Sequence, residues 1–587
     1  MKYTFSYSNT ASKYINIEYT INAITQDTIV LSLPLWRPGR YEMGNFAKNI
    51  QHFEIKDKKG NKVSYEKITK STWKVDTKDL DTIVVQYNYY AAILHSGSTY
   101  LDDTQMYVNP CNCCLYIEDR LLEPCEITLQ VPTTYEVATS LKAVDKYTFI
   151  AEDFHELADS PFIASATLQH NSFMINDYTF HLWFQGICKL DWSKLLTDFF
   201  IFAEEQITTM KGLHVSEYHF LFQIVPYNHY HGVEHLKNTV ITLGPGYELM
   251  RGTLYEDLLG VASHEFFHTW NIKKIRPADM FPYQYDKENY SKLGYIYEGL
   301  TTYYGDLFLY RSGVFNDFDY FKQIHLTLQK HYDNYGRFHR SVAESSIDNW
   351  IDGYNNDIPH RKVSIYTEGS LLCFILDTLI RKNSKEKYCI DDITRSLYAN
   401  ALQNIPYTDK TIQDLAQEYA GISLEFFFKN YVYGYEDYEA LLIDAFNYIG
   451  CELVKARSRK MPEACLGMKL KEEKSKTIVT ICLPNSPAEK AGLGLGDELL
   501  AINGIDIKGT FSSWCKYFQE SDKSIKVLIS TTSGLVKEVE LFFEEPIYFP
   551  IVYANKLRKP TNEQIQAFYS WSKRSLLLAD NMIAGVV

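Results

Sequence analysis

Two histidines four residues apart, His264 and His268, are the residues of this chain best placed by type and spacing to do chemistry. On a helix, side chains four positions apart project from one face, so both imidazoles can reach a single zinc ion. Glu265 lies beside them and can accept the proton of a zinc-bound water. The preceding residues, YEDLLGVAS, indicate a packed helix. The alternative is such a helix with two ordinary histidines.

A catalytic zinc site needs a third protein ligand and an open position. Glu298 is the best candidate, because it follows His268 by 30 residues in YIYEGLTTYYGDLFLY, which predicts a second amphipathic helix. Its carboxylate would complete a site of two histidines and one glutamate, with one catalytic Zn²⁺ as the cofactor. The alternative is a surface glutamate that the helix dipole favours near a helix start.

The composition limits the classes of function that are open to the chain. It has 587 residues, 46% of them hydrophobic, and a formal net charge of −14. An acidic chain without a basic stripe is a poor ligand for nucleic acid. Its first residues lack the apolar segment of a signal peptide, and no window approaches about 18 uncharged apolar residues. We therefore expect a cytoplasmic protein without an integral membrane segment.

The cysteines do not predict a metal site. Four of the 11 cysteines cluster, but C-x-C-C is not a zinc-ligand spacing. We expect reduced, partly buried thiols at these positions, which are Cys111, Cys113, Cys114 and Cys125.

The pattern of elements predicts a multidomain α+β fold. Strand-like runs such as TIVLSLPLW and DTIVVQYNYY predict a β-sandwich-like N-terminal domain over residues 1–168. Helical periodicity predicts a mainly α domain over residues 169–455, which carries the candidate metal ligands. Short strands return over residues 460–545, and residues 546–587 are predicted to form a C-terminal helical tail.

Several motifs in order resemble the M61 metallopeptidases, the glycyl aminopeptidase family. They are HEFFHTWNIKKIRPADMFPYQY, YIYEGLTTYYGDL, LPLWRPGRYEMGNFAKNIQHF, YHGVEH and VSIYTEGSLLCFILDTLIR. The resemblance implies a thermolysin-like catalytic fold of the gluzincin type. It implies a zinc site of His264, His268 and Glu298 with Glu265 as the base. It also implies aminopeptidase activity on small N-terminal residues such as Gly or Ala.

Two further roles follow once an aminopeptidase is considered. Such an enzyme must recognise a free α-ammonium group beside the scissile bond, and a fixed carboxylate does so. We choose Glu234 in YHGVEH for this role, with Gly232 beside it in the substrate site. We choose the phenol of Tyr366 as the donor to the oxyanion. The alternatives are a loop glutamate and an ordinary core tyrosine.

The chain departs from the family pattern at two positions. His231 replaces one glycine of a Gly-Gly pair, and its bulk is expected either to narrow the cleft or to lie in a loop. Glu368 stands where the family often has lysine, which reverses a charge near Tyr366. Both departures bear on substrate preference.

Residues 464–471, ACLGMKLK, followed by SPAEKAGLGLGDELLAING, resemble a PDZ domain. Leu466, Gly467 and Met468 would then form the loop whose backbone N–H groups bind the C-terminal carboxylate of a peptide. The alternative is a domain that is docked for structural reasons.

The favoured function is therefore a zinc aminopeptidase that acts on peptide substrates. One alternative is a zinc endopeptidase whose PDZ domain recruits longer chains. The other is a non-catalytic PDZ adaptor that binds peptides, against which the combination of His264, Glu265, His268 and Glu298 argues.

Overall fold

The computed structural model describes residues 1–353 and 358–576. Its N-terminal domain is β-rich, and alternate side chains of its strands face the core, as in Tyr14–Ile21, where every second residue is buried. The strands are β1 Lys2–Ser6, β2 Tyr14–Ile21, β3 Thr28–Ser32, β4 Ile50–Asp57, β5 Tyr65–Lys67, β6 Thr72–Asp76, β7 Ile83–Tyr90, β8 Tyr100–Leu101, β9 Gln105–Val108, β10 Cys125–Gln130, β11 Glu136–Thr139, β12 Lys142–Asp145, β13 Thr148–Ala151 and β14 Phe162–Ser165.

Three sheets build this domain, and two short helices, α1 Pro110–Cys113 and α2 Phe154–Ala158, connect their strands. The largest sheet has seven strands in the order β12-β13-β10-β1-β2-β7-β4. The others are β11-β14-β9-β8 and β3-β6-β5. The four clustered cysteines are buried and free. Burial raises the pKa of Cys111 and Cys125 to about 12 each, so both are protonated thiols at neutral pH.

A five-stranded sheet begins the second domain and positions one wall of the candidate site. Its order is β15-β16-β17-β19-β18, with β16, β17 and β19 parallel and β18 antiparallel at the edge. Helix α3 packs on β15, and helix α4 packs on β18 and β19. The elements are β15 Gln169–Ile175, β16 Tyr178–Gly186, α3 Trp192–Met210, β17 Glu217–Ile224, β18 His229–Glu234, β19 Asn238–Gly244 and α4 Gly252–Phe267.

The rest of this domain is helical, as the periodicity predicts. A π-helical segment, Tyr295–Leu300, runs directly into α5 and packs against α8. Gly299 and Gly369 make this contact, and a β-carbon on either glycine would overlap the backbone of the other. The helices are α5 Thr301–Ser312, α6 Asp317–Asp333, α7 Val342–Asp352, α8 Thr367–Ser384, α9 Ile390–Leu402, α10 Asp409–Ala420, α11 Glu425–Phe427 and α12 Glu439–Tyr448.

The PDZ region is an insertion with a hydrophobic core of its own. It lies between β20 and β27, which pair with each other from Cys451↔Lys556 to Ala456↔Ile551. The elements are β20 Cys451–Ala456, α13 Met461–Leu466, β21 Met468–Glu473, β22 Lys476–Cys482, α14 Pro487–Lys490, β23 Glu498–Ile502, β24 Ile505–Asp506, α15 Phe511–Gln519, β25 Ser524–Ser530, β26 Val536–Phe542, β27 Ile551–Lys556 and α16 Asn562–Ser572.

This arrangement corrects the prediction that residues 546–587 form a C-terminal helical tail. The described part of this segment forms β27 and α16, and Phe568 and Trp571 of α16 are buried in the large hydrophobic core. Arg311 on α5 donates a hydrogen bond to the carbonyl of Trp571 at 2.8 Å. These residues therefore belong to the second domain, because tertiary packing returns the chain to it after the PDZ insertion.

The predicted carboxylate-binding loop at Leu466, Gly467 and Met468 begins at the last residue of helix α13. All three residues are buried. The N–H of Gly467 caps α13 by donating to the carbonyl of Pro462. Ser486 also lies against Gly467, so close that a β-carbon would overlap it. A peptide carboxylate needs unpaired N–H groups, so the N–H of Gly467 is not available in this conformation, and the role of the loop stays a prediction.

None of the helices in the described part of the chain combines the length and the hydropathy needed to cross a membrane.

Candidate metal centre and active site

Helix α4 presents His264 and His268 from one face, and His268 caps the end of this helix. The opposite side of α4 is held by buried apolar residues such as Leu258 and Phe266. The two Nε2 atoms lie 3.0 Å apart. Nδ1 of His268 donates to the backbone carbonyl of Asn271 at 2.7 Å, which leaves Nε2 as the nitrogen that would bind a metal ion.

Glu298 completes a group of three possible ligands. Its Oε2 lies 3.8 Å from Nε2 of His264 and 3.4 Å from Nε2 of His268. In a tetrahedral zinc site with bonds of about 2.0–2.1 Å, the ligand atoms lie roughly 3.3 Å from one another. The three atoms therefore already have the spacing that one zinc ion requires.

The chemistry of these donors also fits a cation. Glu298 is only 2% exposed, and its Oε2 accepts no hydrogen bond within the described residues. A buried carboxylate oxygen without a partner is costly unless a positive charge neutralises it. Burial raises the pKa of Glu298 and lowers that of His264 well below its ordinary value.

Asn271 links the two elements that carry these ligands, and the sequence analysis missed it. Its side-chain amide donates to the carbonyl of Ile296 at 2.8 Å and to Oγ1 of Thr301 at 3.0 Å. The backbone carbonyl of Asn271 accepts the hydrogen bond from His268. Asn271 therefore connects the end of α4 to the π-helical segment that carries Glu298. The only signal in the sequence is a polar residue three positions after His268.

Glu265 lies between the metal ligands and the edge strand β18. A β-carbon on Gly232 would overlap Oε1 of Glu265, so the carboxylate can occupy this position only because residue 232 has no side chain. Oε2 of Glu265 is buried and accepts no hydrogen bond within the described residues. Burial raises the pKa of Glu265 well above its usual range, which makes it a stronger base than a solvated carboxylate.

Glu234 ends β18 and faces the same space. It is 4% exposed, and Oε1 has no hydrogen-bond partner in the described chain. Its ligand atom lies within 4.8 Å of those of Glu265 and His268. A tight turn of the N-terminal domain closes on it, because the Cα of Gly39, at a φ of +89°, packs directly against the carboxylate. Gly39 is a second residue that the sequence analysis did not single out.

Tyr366 directly precedes α8 and lies next to two of the candidate metal ligands. Its hydroxyl donates a hydrogen bond to Glu298. Its ring centroid is 6.4 Å from that of His264. The contact between Gly299 and Gly369 sets this placement, because it brings the start of α8 against the segment that carries Glu298.

The two departures from the family pattern have different outcomes. His231 is half-buried on β18, and its ring lies 5.3 Å from that of His95 in the N-terminal domain. Glu368 is buried, and both its carboxylate oxygens lie 2.9 Å from Nδ1 of His331. Tyr438 also donates a hydrogen bond to Glu368. The expectation that Glu368 bears on substrate preference is therefore corrected, since its charge is bound inside the helical domain.

A second group of possible metal ligands lies elsewhere on the five-stranded sheet, at His181, Glu217 and His219. The indole N–H of Trp183 donates to Nδ1 of His219 at 3.2 Å, which leaves the ring proton on Nε2, the atom that faces Glu217 at 3.9 Å. A metal-binding histidine needs the opposite arrangement, with its remote nitrogen as the donor. We assign no metal to this group.

Comparisons with known proteins agree with the fold and with the motifs. Residues 2–166 match the Peptidase M61 N-terminal domain, residues 257–372 match the M61 glycyl aminopeptidase family, and residues 478–530 match a PDZ domain. No match was found among the curated proteins. These matches confirm the resemblance that the motifs indicate.

Two solved structures illustrate the similarity. An aminopeptidase N family protein from Idiomarina loihiensis is 25% identical, with a TM-score of 0.88 over 97% of this chain and 99% of that chain. An M1 zinc metallopeptidase from Deinococcus radiodurans is 12% identical, with a TM-score of 0.46 over 74% of this chain and 94% of that chain. The first likeness confirms the multidomain α+β architecture along the whole chain.

Proposed function

The chain belongs to the M61 glycyl aminopeptidase family and carries a PDZ domain, and from this premise we propose that it is a zinc-dependent aminopeptidase. Its substrates would be peptides with a small N-terminal residue, such as Gly or Ala. The observation that carries the proposal is the position of Glu234, a buried carboxylate with a free oxygen within 4.8 Å of the ligand atoms of Glu265 and His268.

His264, His268 and Glu298 would hold the zinc ion, as their spacing supports. When bound, zinc supplies Lewis-acid polarisation of the scissile carbonyl and of water. Glu265 would take a proton from the attacking water and deliver it to the leaving amine. Its buried position and raised pKa suit both halves of this transfer, because the group must first gain and then lose a proton.

Glu234 would bind the α-ammonium group of the substrate. Glu234, Glu265 and Glu298 are all buried, and a zinc ion together with an ammonium group would bring positive charge to these carboxylates. An internal peptide segment has an uncharged nitrogen at this position and would leave Glu234 unpaired. The hydroxyl of Tyr366 would break its hydrogen bond with Glu298 and would donate a hydrogen bond to the oxyanion instead.

The two alternatives receive less support. An endopeptidase needs room for residues before the scissile bond, whereas Gly39 closes directly on Glu234. Recruitment through the PDZ domain needs unpaired N–H groups in the carboxylate loop, whereas the N–H of Gly467 donates to the carbonyl of Pro462. A non-catalytic adaptor would have no use for three buried carboxylates around two histidines.

The test compares pairs of peptides that begin with Ala or Gly and differ only in N-terminal acetylation, on protein whose zinc content is measured in the same sample. We expect cleavage of the free-amine peptides alone, with release of the first residue. Glu234→Gln should lower kcat/KM for them by about 10²-fold, because a charge-assisted hydrogen bond is lost. Glu368→Gln is the matched control, since Glu368 pairs with His331. Equal cleavage of acetylated peptides would favour the endopeptidase.

A further inference from the structure

Asp159, which follows α2 in the N-terminal domain, binds the chain directly after Glu234. Its Oδ1 lies 3.0 Å from Nδ1 of His235, and its Oδ2 accepts the backbone N–H of Leu236 at 2.7 Å. His235 is only 1% exposed, so this contact is buried where the two domains meet. A residue of the N-terminal domain therefore holds the end of the strand that carries Glu234.

Lys273, in the segment that follows α4, is the third partner of Asp159. Its Nζ donates to Oδ1 of Asp159 at 2.6 Å, and its side chain is 2% exposed. A buried ammonium group is costly unless a negative charge lies close to it. Asp159 supplies this charge, so the two residues form an ion pair across the domain boundary.

Glu234 is a second carboxylate in the surroundings of Lys273. Burial disfavours the charged ammonium group, but the charge of Asp159, with a smaller contribution from Glu234, outweighs burial and raises the pKa of Lys273. Asp159 and Lys273 also line a cavity of about 230 Å³ together with Pro38. Pro38 directly precedes Gly39, which packs on the carboxylate of Glu234. The cavity therefore joins Lys273 to the turn that encloses Glu234.

The two carboxylates differ in their hydrogen bonding. Asp159 has three partners, whereas Oε1 of Glu234 is buried and has no partner in the described chain. A lysine side chain has a flexible four-carbon stem, so it can change its partner without a shift of the backbone. Without the charge of Asp159, Glu234 would be the carboxylate that acts most strongly on the ammonium group of Lys273.

We propose that Asp159 is a positioning residue that keeps Lys273 away from Glu234 and so leaves this carboxylate open to the α-ammonium group of the substrate. The proposal rests on the proposed function, because it takes Glu234 as the group that binds the amine. Lys273 and the substrate both carry an ammonium group, so without Asp159 they would compete for one carboxylate. The N-terminal domain thus contributes to recognition of the free amine, although Asp159 does not touch the substrate.

The test measures kcat and KM for an alanyl amide on zinc-loaded protein, with the zinc content of each sample. Asp159→Asn should raise KM at least about tenfold and leave kcat within about threefold of the wild-type value, because only molecules with a free Glu234 bind the substrate. Adding Lys273→Met removes the competitor, so the double variant should return KM to within about threefold of the wild-type value.

Glu156→Gln is the matched control. Glu156 pairs with Lys237 at 2.5 Å, and both residues line the same cavity. The side chain of Lys237 is 35% exposed, so water can replace its partner, and KM should stay at the wild-type value.

A crystal structure of Asp159→Asn shows the change of partner without any substrate. We expect Nζ of Lys273 within about 4 Å of a carboxylate oxygen of Glu234, the usual limit for an ion pair. If Asp159→Asn does not fold, Asp159→Ser is compared with its own combination with Lys273→Met in the same measurements.

A double variant with a KM as high as that of Asp159→Asn would overturn the proposal, because loss of Lys273 does not repair a purely structural defect. A wild-type KM in Asp159→Asn, with Lys273 still away from Glu234, would overturn it as well. A new ion pair between Lys273 and Glu234 with an unchanged KM would support the change of partner and reject Glu234 as the group that binds the amine.

Discussion

Gly232 on β18 and Glu265 on α4 lie in direct contact, so that a β-carbon on Gly232 would overlap Oε1 of the Glu265 carboxylate and approach Cγ2 of Val261 at 2.8 Å. The absence of a side chain at Gly232 thus decides where the candidate base lies. The rest of the site depends on similar contacts between segments that are distant in the chain.

Gly232→Ala should lower kcat by about 10–100-fold, because a displacement of a catalytic group by about 1 Å can cost about 10²-fold. Zinc content should stay at the wild-type level, since His264, His268 and Glu298 do not contact the added carbon. Steady-state kinetics with metal analysis measures both. Gly260→Ala is the control, because its nearest neighbour, Oδ1 of Asp306, would lie 3.4 Å from the new carbon. Equal losses in the two variants would contradict the positional argument.

Glu265→Gln should lower kcat by at least about 10²-fold, the usual contribution of general acid–base catalysis. The amide keeps the shape of the carboxylate but cannot accept the proton. The variant should still bind zinc, because Glu265 is not one of the three ligands, which are His264, His268 and Glu298. Full activity in a zinc-loaded variant would show that another group is the base.

Tyr366→Phe should lower kcat by about 10²–10³-fold with little change in KM, since an oxyanion donor acts in the transition state. The phenyl ring keeps the packing next to His264. If the variant loses zinc instead, the hydrogen bond from Tyr366 to Glu298 has a structural role in the metal site. Metal analysis and kinetics on the same sample separate these outcomes.

The apparent affinity for zinc should rise with pH. In the metal-free site burial disfavours the charged imidazole, but Glu298 outweighs this effect and raises the pKa of His268 to about 10. At neutral pH His268 is therefore protonated, and this proton must leave when zinc binds. We expect about a tenfold gain in affinity per pH unit between about 6 and 8 for one proton. Competition with a chelator measures the affinity, and calorimetry in buffers of different ionisation enthalpy counts the protons. A constant affinity over this range would contradict the protonated state.

The effect of removing the PDZ domain on folding and activity should depend on where the chain is cut. Replacing residues 457–550 with a short turn should keep activity on small substrates, because Ala456 and Ile551 are paired neighbours on β20 and β27. Truncation after residue 456 should abolish folding, because it removes Phe568 and Trp571 from the core. Circular dichroism and activity on an alanyl amide compare the two proteins. A folded, active truncation would show that β27 and α16 are dispensable.

The sequence by itself determined the local parts of this site. The spacing of His264 and His268 needs only a helix to bring both imidazoles together, and helical periodicity is visible over a short window. The ordered motifs indicated the family, which the comparisons confirm. The alternation of apolar residues likewise predicted the β-rich N-terminal domain.

Only the tertiary structure decided how distant segments meet. The turn of Gly39 against Glu234, the link from Asn271 to the segment of Glu298, and the burial of Glu368 against His331 all join residues far apart in the chain. The contact of Ser486 with Gly467 and the return of α16 to the large hydrophobic core have the same origin. Local patterns specify helices and strands, whereas such contacts depend on the packing of the whole chain, which no short window of sequence contains.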